Sequence, residues 1–410
     1  MATLSITRDA GWPYQNTHAV NVTRMAAVTQ LIAPESGSVG AVRAATRGGE
    51  QGQDEGTIVL DVLKDHTRLV FVTELLSNRQ SSWGDPLLAL RSRLAGLPVW
   101  YDTMITETRE HWEEFWGRSS VWIQTRDTTL NAALLDVWYG GQYLLAMASR
   151  GGEAALHPNT NGILPPGLYG PWITSDLMGW GSDFHLNYNL QAPYYGTFGS
   201  NHAELAAAFY GPILAWMPEA ARIARRDFGC SGVHFGGTVG PWGSTGTDVG
   251  DMGQRSDGLF TALVAAHHWR HTRNVSFFQE SFGTVGSEAP YEAGATPYLL
   301  MRDVVEFWRC YLQRNDTTPN QPWLPRSIAS AFLSCHSSNE TLVLARSRYQ
   351  YDSWNDCHDE LCSGNQYAIT KNNKPTNAML RFLLPTLLDA AAALQVCRTA
   401  PSPSRFLVQN

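Results

Sequence analysis

The sequence predicts a mainly α-helical protein, a toroid of paired helices of the (α/α) kind behind a short β-rich N-terminal segment. Three observations predict it. Apolar residues recur at helical spacing in long blocks after residue 85, and β-branched runs are concentrated in the first 84 residues. The helical blocks are separated by long loops rich in Gly, Trp, Tyr, Asn and His, at residues 151–200, 229–255 and 315–375. Such loops are unusual in a helical bundle and generally carry function, so helix pairs with loops gathered at one end describe a toroid. An irregular helical domain with no common axis is the alternative.

The 410 residues exceed what one hydrophobic core usually serves, which points to two units, taken as 1–84 and 85–410. A net charge of −7 and a pI near 5.9 leave no basic footprint for nucleic acid or an anionic membrane. With 43% hydrophobic and 16% charged residues the chain is globular rather than disordered. The most apolar run, Ala378 to Cys397, is interrupted by Arg381, Pro385 and Asp389, which a lipid-facing helix would not tolerate.

Six cysteines are too few for a disulfide scaffold, and only Cys357 and Cys362 are close enough in sequence to bridge a loop. No CxxC pair or metal-ligand spacing occurs, so neither a metal nor a cofactor is expected. Sequons at Asn21, Asn274, Asn315 and Asn339 lean toward the secretory route, while the N-terminus lacks the pattern of a signal peptide.

In chain order, Thr57–Leu63 and Arg68–Leu75 read as strands, with Lys64–Thr67 as the turn of a hairpin, and Pro34 to Gly56 reads as a long loop. Asp85-Pro86 is an N-cap with proline at the first helical position, opening a helix through Leu97. Tyr101, Ile105, Trp112, Phe115 and Trp116 follow at helical spacing, and Thr129–Ser149 is a further apolar helix. Asn201-x-x-Glu204 resembles a capping box for a helix running toward Phe228, which Pro212 and Pro218 should kink or split. Helices also fit Ser256–His271, Thr296–Leu312 with Thr296 as cap, and Thr376–Val396.

The chemistry-bearing stretch is Pro171-Trp172 followed by Asp183-Phe184-His185-Leu186-Asn187-Tyr188-Asn189-Leu190-Gln191. If it is extended, His185, Asn187, Asn189 and Gln191 share one face, and Leu186, Tyr188 and Leu190 face the core. A row of amides and an imidazole suits sugar hydroxyls, each of which donates and accepts. A surface strand of solvated amides is the other reading of the same residues.

These residues carry a resemblance. Ser149-Arg150-Gly151, Asn161-Gly162, Pro171-Trp172, His185 to Gln191 and Glu204-Leu205 look like family 95 glycoside hydrolases. Phe115-Trp116-Gly117-Arg118-Ser119 and the Gln142-Tyr143-Leu144-Leu145 helix do so too. The similarity runs with gaps from about Thr57 to Val396, and the His-Leu-Asn-x-Asn-Leu-Gln core is its most specific element. The resemblance implies a β-sandwich leading into an (α/α) six-hairpin toroid. It also implies an inverting α-L-fucosidase, or a relative acting on α-L-galactosides. On that footing Asn187 and Asn189 orient the hydrolytic water and His185 contacts the sugar. A water held opposite the leaving group is what inversion requires.

The resemblance places the general acid on a loop before the helix at Thr376, where Asp356-Cys357-His358-Asp359-Glu360 stands. Glu360 is the candidate; Asp356 and Asp359 are alternatives, because the commoner family pattern is Ser-Pro-Glu-like. A donor acid must stay protonated near neutral pH, which burial near Trp354 or a neighbouring carboxylate could achieve. His234 and Trp242, in the glycine-rich loop 232–243, and Trp172 are expected sugar contacts. The family's general base, an aspartate in a Gly/Asn-rich loop downstream of the acid, has no counterpart before Asn410, and only six or seven helices are visible where a full toroid has twelve. The sequence therefore looks truncated at both ends or degenerate. Asp248 or Asp251 could substitute for the base, and a carbohydrate-binding protein without catalysis is the alternative function.

Overall fold

The computed structural model describes residues 2–10, 23–32, 39–48, 54–62, 70–77, 101–149, 164–170, 178–240, 243, 255–281, 291, 294–314, 352–353, 369–370 and 374–396. Among these the protein is mainly helical. The helix expected over 85–97 lies outside them, as do Trp172, Trp242, Asp248, Asp251, Trp354, the Cys357/Cys362 pair and all three candidate acids, Asp356, Asp359 and Glu360. The chain forms two compact units, Met1–Ser120 and Val121–Asn410.

The first unit holds strands β1 (Ala2–Ala10), β2 (Thr23–Ile32), β3 (Val39–Gly48), β4 (Asp54–Val62) and β5 (Val70–Ser77). Antiparallel pairing gives a three-stranded sheet in the order β1-β2-β5 and a separate β3–β4 pair. The expected hairpin at Lys64–Thr67 is thus incorrect: β4 pairs back on β3, and β5 crosses to β2. Composition identified β4 and β5 as strands but held no information about partners, because register is settled between strands that are distant in sequence. Thr29 and Thr73 face each other across β2 and β5 with hydroxyls 2.9 Å apart. The stretch from Pro34 to Gly56 is not a loop throughout, since it contains β3. Helix α1 (Tyr101–Gly117) closes the unit, with Phe115 buried and Trp112 stacked on Trp116 at 6.1 Å.

The second unit begins with α2 (Thr128–Ala148), whose N-cap Asp127 accepts from the backbone of Thr129 and Leu130. There follow α3 (Ala192–Gly199), α4 (Ala207–Phe228), α5 (Asp257–Thr272), α6 (Val275–Gln279), α7 (Pro297–Arg314) and α8 (Lys374–Ala393). Thr296 caps α7 as expected, its hydroxyl accepting from Leu299 N at 3.0 Å. Of the kink or split expected at Pro212 and Pro218, the split does not occur: the helix runs continuously through both. Nor does Asn201 cap it. A short 3-10 turn, Ala203–Ala206, precedes α4 without a side-chain cap, and Glu204 pairs with His202 at 3.1 Å. Helix α4 stops at Gly229, whose left-handed φ of 56° returns Gly229 N to Arg225 O and Cys230 N to Ala224 O.

The core lies among α4, α5, α7 and α8, where Phe209, Tyr210, Leu259, Trp269, Trp308, Leu383 and Leu387 are all but inaccessible. Trp269 donates its indole N–H to Asp389 at 2.8 Å, and Arg273 pairs with the same carboxylate. A disulfide joins Cys230, just past α4, to Cys310 on α7. The cysteine reading missed it because 80 residues separate the two. No helix among the described residues is long and apolar enough to cross a membrane.

His268 gives this core a pH dependence. Its ring lies 4.5 Å from Phe277 and stacks on Phe198 at 5.1 Å, with Nδ1 3.2 Å from the Tyr210 hydroxyl. Burial first, and the nearby His271 second, push its pKa down to about 3. A base depressed in the folded state binds more protons when unfolded, so stability falls as pH drops below about 6.5 and continues to fall toward 3. The expected loss from this residue is about 2 kcal/mol by pH 5. Urea midpoints at pH 7 and 5 measure it, and a His268→Phe variant should show a flatter profile; an unchanged slope would clear His268 of the effect.

Candidate active site

Strand β6 (Phe184–His185) pairs with β7 (Thr238–Val239), and Leu186 N donates to Gly237 O at 2.7 Å. The extended form expected for residues 185–191 ends there. Residues 186–191 are turns, with Leu190 N bonded to His185 O and Ala192 N to Tyr188 O. The cause is visible at Tyr188, whose φ is 113°. A non-glycine residue held there carries strain of about 1–3 kcal/mol, a cost met most often at functional sites. The reversal alters the predicted faces. Leu186 and Leu190 are buried as expected, but Tyr188 is 53% exposed instead of facing the core.

The polar residues separate accordingly. Gln191 is wholly buried, donating to Leu186 O at 2.6 Å and to the Thr261 hydroxyl at 3.1 Å. It ties the turn to α5 and is not part of an exposed row. Asn189 is exposed. Asn187 is half-buried, and its Oδ1 is a buried acceptor with no hydrogen-bond partner. His185 is buried, with Nδ1 2.6 Å from Oδ1 of the buried Asp183. The structure thus keeps His185, Asn187 and Asn189 within one turn, with two of the three groups set into the protein.

Sequence reasoning gave Asp183 no role, although a residue two before a histidine in a strand shares its face and could have been found that way. Trp216 on α4 was also missed. Its ring lies 5.5 Å from Phe184, and its indole N–H is buried without a partner. No sequence signal distinguishes it from the other tryptophans. Gly243 sits directly against it: a Cβ there would come within 2.5 Å of Trp216 Cδ1. His234 lies in the core with 1% of its surface exposed, its ring 4.9 Å from Phe307 and 4.7 Å from Phe228. Its ring is thus set among the aromatics between α4 and α7 rather than on an exposed face.

A cavity of about 700 Å³ opens elsewhere in the second unit, lined by Arg225, Tyr291, Tyr298, Arg302, Asp303 and Glu306 among others. None of the residues of the 183–191 segment lines it. Among the described residues no group of three or more His, Cys, Asp or Glu side chains could hold a metal ion.

The 183–191 segment thus sets a buried acid–imidazole pair beside an unpartnered buried amide oxygen. Residues 105–330 match the family described as "Glycosyl hydrolase family 95 catalytic domain". That span is more than half of the chain, and the chain belongs to glycoside hydrolase family 95. It is similar to "Probable alpha-fucosidase A" of Aspergillus niger, 27% identical over 179 residues, which are 43% of this chain and 20% of that protein. "Probable alpha-fucosidase A" of Aspergillus oryzae is 32% identical over 87 residues, 21% of this chain and 12% of that protein. The matched stretches thus cover a fifth or less of either relative.

Proposed function

We propose that the second unit carries the sugar-binding floor of an inverting α-L-fucosidase-type hydrolase, acting on terminal α-L-fucosyl or α-L-galactosyl residues. The observation that carries this reading is the buried, unpartnered Oδ1 of Asn187 one turn beyond the Asp183–His185 pair. A buried acceptor without a partner costs about 1–3 kcal/mol unless a ligand or water satisfies it. A water donating to Asn187 and Asn189 would have its lone pair fixed for in-line attack on the anomeric carbon. His185 would accept from a sugar hydroxyl, and Trp172 and Trp242 would supply stacking faces.

In this reading the helices form the (α/α) toroid and the strands belong to a β-sandwich ahead of it, the helical domain starting near residue 85. Glu360 donates the proton to the departing glycosidic oxygen while a carboxylate base takes one from the water. The Cys230–Cys310 bridge agrees with the secretory route suggested by the sequons.

The test is to incubate the chain with an aryl α-L-fucoside and an aryl α-L-galactoside and to measure fucose binding by calorimetry. Turnover with inversion supports the proposal; binding alone would demote the chain to a non-catalytic carbohydrate binder, and neither would end the reading. Where turnover is found, Glu360→Gln should lower kcat on a natural glycoside about 100-fold, the usual scale for a lost general acid. A fully active Gln variant would move the role to Asp356 or Asp359.

A further inference from the structure

The structure assigns to Asp183 the part of positioning residue for His185, fixing the ring so that Nε2 faces the ligand as an acceptor. This rests on the sugar-binding reading of the site and adds the chemistry by which one hydroxyl would be recognised. A carboxylate can only accept, so the 2.6 Å contact between Asp183 Oδ1 and His185 Nδ1 places a proton on Nδ1. Both residues are buried, 7% and 9% exposed, which holds the pair in one geometry. Asp183 is itself anchored: its backbone carbonyl accepts from Leu168 N at 2.9 Å, and the next two residues pair with β7. The other ring nitrogen, Nε2, engages no group among the described residues. With Nδ1 committed to Asp183, Nε2 is the ring atom left to meet a ligand, and an O–H group is the partner that satisfies its lone pair. Asn187 Oδ1, two residues on, is a second acceptor in want of a donor. The floor of the site therefore selects for a ligand that brings hydroxyl hydrogens, as a monosaccharide does.

The experiment is an isosteric exchange. Asp183→Asn keeps the shape, but its amide can donate to Nδ1 and so drive the proton to Nε2, which turns the acceptor into a donor. Nitrogen-15 spectra of histidine-labelled protein, with the His185 signals assigned through His185→Gln, report the tautomer directly. The wild-type ring should be protonated at Nδ1 and bare at Nε2, and the Asn variant should show the reverse. Methyl α-L-fucoside should bind the Asn variant about tenfold more weakly, the scale of one hydrogen bond lost, with the melting temperature moved by no more than about 2 °C. A wild-type ring protonated at Nε2 would overturn the assignment. So would an exchanged tautomer with unchanged fucoside affinity. If the tautomer exchanges as expected but the wild type binds no fucoside, the positioning role stands and the fucosidase reading falls.

Discussion

Cys230→Ser/Cys310→Ser is expected to lower the stability of the second unit by about 4 kcal/mol, following the chain-entropy estimate for a closed loop of this length. The bridge spans 80 residues and ties the residue just past α4 to the last third of α7. Both helices belong to the core, and near the bridge the Ser231 hydroxyl donates to Glu306 at 2.8 Å. That contact is exposed and adds little. The disulfide is a covalent restraint on a seam that also holds the packing of Phe228, Phe307 and Tyr311 and the bond from Val233 N to Asp303 O. Urea unfolding followed by tryptophan fluorescence, in the oxidised wild type and in the double serine variant, gives the difference. A loss below about 1 kcal/mol would mean that the unfolded chain is already restrained between the two cysteines, the known weakness of the entropy estimate.

Local signals were legible in the sequence where the physics is local. Thr296-Pro297 announced the start of α7 because a capping hydroxyl and a proline at the first turn satisfy the helix end on their own. The apolar spacing that marked α1, α2, α5 and α8 likewise depends on residues three or four apart. What failed was decided between distant residues. The partner of β5 is β2, not its neighbour β4, and the disulfide joins residues 80 apart. The site shows both cases within nine residues. Its candidate residues came from the density of amides and the His185–Asn187–Asn189 pattern, and the structure keeps those three within one turn. Its shape was not, because a tyrosine in an alternating run argues for a strand, while Tyr188 in fact reverses the chain at φ 113°. The strain at Tyr188 must be offset by contacts no sequence pattern reveals, among them Gln191 tied to Thr261 on α5.

Gly232→Ala, in the loop that follows α4, should destabilise the protein by about 4 kcal/mol. Two costs combine. Gly232 has φ +84°, which a side chain adopts at about 1–3 kcal/mol. A Cβ there would also stand 2.2 Å from Asp303 O and 2.4 Å from Phe307 N, both backbone atoms of α7 that cannot swing away, so overpacking adds about 1–3 kcal/mol. Gly196→Ala is the matching control, since nothing lies within 4 Å of a Cβ there and α3 should lose nothing by it. The expected damage extends beyond stability. Val233 N donates to Asp303 O at 3.0 Å, His234 N to Ala220 O at 3.1 Å, and the chain then enters β7, whose Thr238 pairs with His185. Pushing residue 232 off α7 therefore shifts the strand that holds His185. On the proposed function, fucoside affinity should fall in Gly232→Ala at temperatures where the protein is still folded, and stay unchanged in Gly196→Ala. Equal affinity in a folded Gly232→Ala protein would show that β6 keeps His185 in place without help from the loop. Because Cys230 lies two residues away, the serine and alanine substitutions share one seam, and their combined cost should depart from the sum of the two.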